Sequence, residues 1–209
     1  MVCASLHFCV FAFIVSRVES ANVLVVYWSD TDHTANLAQI IGSGAASVPS
    51  TSVKIQTTAE TNVQRDVVEW ADALILGSPV HYGNPASGLV RWFETEWEGH
   101  WTDASPPVAL GAVFATGGGL AQGLEHVLAS LQRLLWSFRV QVLTPNPTRS
   151  GFTSYGVVAV TGTPPWGDNV THGAIAAPFA TAAREFGAQF AEAAALRSRK
   201  SDNESYNKA

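Results

Sequence analysis

The sequence predicts an α/β domain built on a five-stranded parallel sheet with helices on both faces. Three observations point there. Nearly continuous apolar runs recur at Val23–Val26, Ala73–Leu76, Val108–Ala115 and Val140–Leu143, as expected of strands covered on both sides. Helical stripes lie between these runs, and an alternation of strand and helix calls for parallel strands joined by right-handed crossovers. Of 209 residues, 47% are hydrophobic and 14% charged, which suits one well-filled core.

Taken in order, Val23 to Tyr27 is the first strand, and Thr34 to Val48 carries Leu37, Ile41, Ala45 and Val48 on one helical face until Pro49 stops it. Ser52 to Gln56 alternates and reads as a strand with one wetter face near an edge. Asn62 can cap a short helix over Val63 to Trp70. The third strand, Ala73 to Gly77, runs into a turn-rich segment, and from Pro85 a helix turns Leu89, Trp92 and Phe93 inward. After the fourth strand at Val108–Ala115, the next helix has the cleanest stripe, Leu124, Leu128, Leu131, Leu135 and Phe138. Val140 to Leu143 is the fifth strand, and Val157 to Val160 a short extra one. The last helix shows Phe179, Ala183, Phe186 and Phe190 on one face. Trp92, Trp97 and Trp136 read as packing residues on helix faces.

The net charge of −5, with no basic run interleaved with aromatics, argues against a nucleic-acid surface. Both cysteines, Cys3 and Cys9, lie at the N-terminus, so the rest of the chain holds no thiol nucleophile or disulfide framework, and the six histidines show no metal-ligand spacing. Val2 to Val15 is apolar apart from Ser5 and His7, too short to span a membrane and about the length of a secretory h-region. It lacks a basic n-region, but Val18 and Ser20 suit cleavage before Ala21. The expectation is a signal peptide over 1–20, a domain over 21–196 and a polar flexible tail over 197–209. Cleavage would send the protein into the secretory pathway, where Asn169 and Asn203 head glycosylation triplets; without it the protein stays in the cytoplasm.

Ligands of open parallel sheets sit beyond the carboxyl ends of the strands. Three strands end there in unusual loops. In the first, Ser29, Thr31 and Thr34 place hydroxyls around a helix N-terminus, where N–H groups and the helix dipole favour a phosphate. The same hydroxyls would also serve as ordinary helix caps. The second, Ser78 to Asn84, offers backbone shaped by Pro79 and Gly83, with His81 and Tyr82 as flat side chains. The third, Thr116-Gly117-Gly118-Gly119, lets backbone approach a planar ring. Together they fit a flat phosphorylated cofactor. None is a dinucleotide or nucleoside-triphosphate fingerprint.

These segments resemble the flavodoxin-like proteins and, within them, the WrbA-type NAD(P)H:quinone oxidoreductases. Val-Leu-Val-Val-Tyr-Trp-Ser with His33 is similar to that family's first strand and FMN-phosphate loop. Residues 73–84, Ala-Leu-Ile-Leu-Gly-Ser-Pro-Val-His-Tyr-Gly-Asn, are similar to its second flavin loop and give the most specific match. Thr116-Gly117 resembles the third loop, and Gly162-Thr163-Pro164 through Gly167 a C-terminal segment; the likeness covers about residues 22 to 196. It implies a flavodoxin-like three-layer sandwich with strand order 2-1-3-4-5, non-covalent FMN, two-electron reduction of quinones by NAD(P)H, and a homo-oligomer, often a tetramer. It also implies site residues. Ser29, Thr31, His33 and Thr34 would hold the phosphate; Pro79, Val80, His81, Tyr82, Gly83 and Asn84 would line one edge of the flavin; Thr116, Gly117 and Gly118 would take the other, with Trp101 against the site.

Two departures set up a rival reading. Asp32 stands where the family has glycine. Asp tolerates a left-handed backbone, but its charge and that of Asp30 would each repel a phosphate by about 1 kcal/mol if exposed. Leu134-Leu135-Trp136-Ser137-Phe138 replaces the histidine pair that the enzymes carry near the flavin. The sequence therefore supports an FMN-dependent NAD(P)H dehydrogenase (quinone), and alternatively a flavodoxin-fold binding or interaction protein with weakened or lost flavin binding. A one-electron carrier fits less well, because the chain is only mildly acidic and poor in charge.

Overall fold

The computed structural model describes residues 20–58, 65–119, 121–146, 155–161 and 171–206. Residues 1–19 of the expected leader, the Asn62 cap, the segment 162–167 and Asn169 lie outside these residues. Strand β1 (Ala21–Tyr27) leads through α1 (His33–Ala46) to β2 (Thr51–Thr57), then α2 (Arg65–Trp70) and β3 (Ala73–His81). A two-residue strand β4 (Asn84–Pro85) precedes α3 (Ser87–Trp97). Strand β5 (Leu110–Gly117), α4 (Leu124–Ser137), β6 (Gln141–Val142), β7 (Val157–Val160) and α5 (Ala177–Tyr206) complete the order.

The sheet runs β2-β1-β3-β5-β6 with all these pairings parallel. Counted by position this is the expected 2-1-3-4-5 order. The fifth position differs from expectation. β6 pairs with Leu110 and Gly111 of β5, while β7 pairs with Phe114 to Gly117. Because β3 occupies the other side of β5, both short strands share one edge position, and Val157–Val160 is the second half of the fifth strand rather than an extra one.

The core follows the apolar runs. Val23 to Val26, Leu74 to Leu76 and Ala112 to Ala115 are fully buried. Helices α1 and α5 pack together on one face. Their backbones approach so closely that a Cβ on Gly187 would collide with the carbonyl of Ile41, and one on Gly44 with that of Arg184. On the other face, Phe93 and Trp97 of α3 stack at 4.5 Å, and each meets Phe138 edge-on at the end of α4. The leucine stripe of α4 is buried as its spacing demands.

Two expectations need correction. Trp136, next to the stripe residue Leu135, is 54% exposed, because only every third or fourth position of the helix faces the sheet. The segment beyond Leu196 is helical as far as Tyr206, since α5 continues into the expected tail. No described helix is long and apolar enough to cross a membrane.

Candidate functional site

The carboxyl ends of β1, β3 and β5 open into a cleft of about 480 Å³ lined by Asp30, Thr31, His33, Pro79, Val80, His81, Thr116, Gly117, Gly118, Thr161 and His172. This is where a sheet of this topology leaves a crevice, and the size is within the usual range for small-molecule sites.

The first wall is the turn between β1 and α1. Asp32 ends it with φ 60°, the left-handed conformation, and caps α1 without a side-chain hydrogen bond. Ser29 Oγ accepts the Ala35 N–H at 3.3 Å, so this hydroxyl closes the helix end, as a capping residue would. Thr34 is also taken. Its hydroxyl meets that of Thr116 at 2.7 Å in a fully buried contact tying α1 to β5. Thr31 faces the cleft and pairs with His33 Nδ1 at 3.0 Å. His33 is 5% exposed and its Nε2 lies 3.1 Å from the Thr171 carbonyl.

The second wall is the end of β3. Ser78 Oγ accepts the Ala86 N–H at 2.8 Å, which folds the chain back on itself. His81 pairs with Asn84 across a hairpin whose central residues, Tyr82 and Gly83, have φ of 50° and 81°. Two left-handed residues match the two-residue turn that suits strand twist. Tyr82, Gly83 and Asn84 thus form an exposed tip, while Pro79, Val80 and His81 face the cleft. His81 Nε2 lies 2.8 Å from Asp30 Oδ2, and the Trp28 indole N–H donates to Asp30 Oδ1 at 3.0 Å.

The third wall is the end of β5. Thr116, Gly117 and Gly118 line it, and a Cβ on Gly118 would meet nothing within 4 Å, so the wall is open there. A fourth segment closes the polar end. Asn36 Nδ2 donates to the Gly173 carbonyl at 2.7 Å, and Gly173 has φ 71° with no room for a Cβ beside Asn36. This seats His172 beside Asp32, with His172 Nδ1 3.5 Å from Asp32 Oδ2 and its ring 6.4 Å from that of His33.

Of the residues expected from the sequence, the cleft gathers Thr31, His33, Pro79, Val80, His81, Thr116, Gly117 and Gly118. It leaves out Ser29, Thr34, Tyr82, Gly83, Asn84 and Trp101. Trp101 lies in a separate cleft of about 710 Å³ with Phe93, Glu94, Glu98, Leu134 and Phe138, its ring edge-on to Phe138 at 5.4 Å. His172 and Thr161, which arrive from the far end of the chain, carry no local pattern that marks them as site residues. No group of metal-ligating side chains is found among the described residues.

Fold and cleft define an α/β protein of flavodoxin-like fold with an open cleft at the carboxyl edge of its sheet. No family model matches the chain. It is similar to a flavodoxin of Aquifex aeolicus (strain VF5), 29% identical over 116 residues, which are 56% of this chain and 60% of that one. The match therefore spans less than two thirds of the relative. Among solved structures it is similar to a WrbA-like flavodoxin from Agrobacterium tumefaciens, with TM-score 0.64 and 21% identity over 84% of this chain and 98% of that one. A flavodoxin from the domain Archaea gives TM-score 0.61 and 17% identity over 83% and 98%. This chain has the flavodoxin-like fold.

Proposed function

We propose that the cleft binds FMN and that the protein is an FMN-dependent oxidoreductase passing two electrons from NAD(P)H to quinones. The observation that carries the reading is the convergence of three loops, each similar to a flavin loop, on one cleft of suitable size. The residues fit the group. Thr31, His33 and the N-terminus of α1 make a polar end for the phosphate, where helix N–H groups favour an anion. Pro79 and Val80 on one side, and Thr116, Gly117 and Gly118 on the other, leave a slot without bulky side chains for the ring. Bound there, FMN supplies the two-electron chemistry, while the protein orients it and holds water off its edges. The resemblance of the loops to those of WrbA-type quinone oxidoreductases supports the quinone as acceptor.

A second reading has its own observation. Asp30 lines the polar end, Asp32 lies at its rim beside His172, and no Lys or Arg is among the described lining residues. On this reading the fold serves as a binding module with weak flavin affinity. Purified protein incubated with FMN and desalted should be yellow and should oxidise NADH or NADPH with benzoquinone. Colourless protein without turnover excludes the enzyme. Replacing Asp32 with glycine separates the two readings: the enzyme gains little, and the weakened module gains FMN affinity strongly.

A further inference from the structure

Among the described residues, the ionisable groups at the polar end come from four segments. The turn after β1 brings Asp30 into the lining, α1 brings His33, β3 brings His81, and the segment before α5 brings His172, with Asp32 at the rim beside His172. The walls from β5 and β7 add only Thr116, Gly117, Gly118 and Thr161. Among these described groups, counting Asp32 at the rim, neutral imidazoles leave two negative charges, and three imidazolium rings would leave one positive charge. Histidine is the side chain that ordinarily changes charge between about pH 5 and 8.

The hydrogen bonds of His33 add a second effect. Its Nε2 faces a backbone carbonyl, the Thr171 oxygen, and so must carry a proton. In the neutral ring Nδ1 is then the acceptor, and the Thr31 hydroxyl donates to it rather than into the cleft. Protonation of the ring makes Nδ1 a donor to Thr31 Oγ1. The hydroxyl hydrogen of Thr31 is thereby released to point at a ligand. One proton both adds positive charge and turns a donor toward the anion.

We propose that this cleft takes its phosphate together with protons, through the His33–Thr31 relay and the Asp30–His81 and Asp32–His172 pairs, so that FMN binds more tightly as the pH falls from about 8 to about 6. The inference rests on the reading of the cleft as an FMN site and adds its regulation. The sign follows from linkage: binding that takes up protons strengthens as pH falls, by up to about tenfold per pH unit for each proton taken up.

The test is calorimetric titration of the full chain with FMN and with riboflavin, which lacks the phosphate. Each titration is run at about pH 8 and about pH 6, in two buffers of different ionisation heat. The Kd for FMN should fall at least about tenfold, with net proton uptake, while that for riboflavin moves less than about twofold. Thr31→Ala and His172→Asn, both at exposed positions, should fold normally and show a shallower pH slope with less proton uptake, Thr31→Ala also binding FMN more weakly at about pH 6. Tight FMN binding with equal Kd at both pH values and no proton uptake overturns the proposal and leaves the FMN reading standing. A slope unchanged in both variants would belong to the phosphate's own ionisation, near pH 6, and also overturns it. Absence of binding by either flavin at either pH overturns the FMN reading and this inference with it.

Discussion

At the ring end of the cleft, Pro79, Val80, Gly117 and Gly118 present backbone and small apolar groups, whereas at the polar end Thr31, His33, His81 and His172 present side chains engaged with one another or with Asp30 and Asp32. The ring end comes from two neighbouring central strands, with Gly77 opposite Phe114 and Pro79 opposite Thr116. Its shape is fixed by the same pairing that makes the core. The polar end is assembled from three segments far apart in sequence and held by a few long-range bonds, among them His33 to the Thr171 carbonyl and Asn36 to that of Gly173. One end takes its shape from strand pairing, and the other from the placement of side chains. A substitution at the ring end should therefore act through shape, and one at the polar end through charge.

The largest expected effect breaks the ring end alone. Gly118→Leu places a side chain in open space on the cleft wall, so thermal unfolding should be nearly unchanged while FMN affinity falls about a hundredfold or more, equivalent to about 2.8 kcal/mol. A comparable loss of melting temperature would instead show that Gly118 supports the fold. Thr34→Val tests the joint between the two ends. It leaves the buried Thr116 hydroxyl without its partner, and chemical denaturation should show a loss of about 1–2 kcal/mol. If Thr34 held phosphate directly, stability would be unmoved and affinity would drop.

Asp32→Gly sharpens the polar end. The backbone there already has the left-handed geometry that glycine adopts freely, and removing one exposed charge should raise FMN affinity only a few-fold at neutral pH, with riboflavin unaffected. A gain well beyond about tenfold would favour the weakened module. Competition titration with the two flavins checks this. The smallest effect is expected for Trp101→Ala. Trp101 lies in the other cleft, so FMN affinity of the isolated chain should change by less than about twofold. A large loss would place this tryptophan against a flavin after all.

The ring end was largely legible from residue order, because apolar runs mark strands and the residues that follow each run land at the sheet's carboxyl edge. Pro79, Val80, Thr116, Gly117 and Gly118 are found there for that reason. The polar end was harder. Ser29, Thr31 and Thr34 look alike as hydroxyls, but the register of α1 turns Thr34 inward to Thr116 and gives Ser29 to a backbone N–H, leaving Thr31 for the cleft. His172 had no local pattern to mark it, since its place depends on a contact 137 residues away between Asn36 and Gly173. The divided fifth strand was legible only as two short apolar runs, because nothing in either run tells that both pair with the same edge of β5.

The central claim is that the cleft between these two ends holds one FMN. A fluorescence titration of FMN with the purified chain tests it most directly, since a flavin enclosed between β3 and β5 should change its emission and saturate. The account predicts saturation at one FMN per chain, abolished in Gly118→Leu. Emission that stays unchanged throughout, or a Gly118→Leu variant that saturates like the parent, would contradict it.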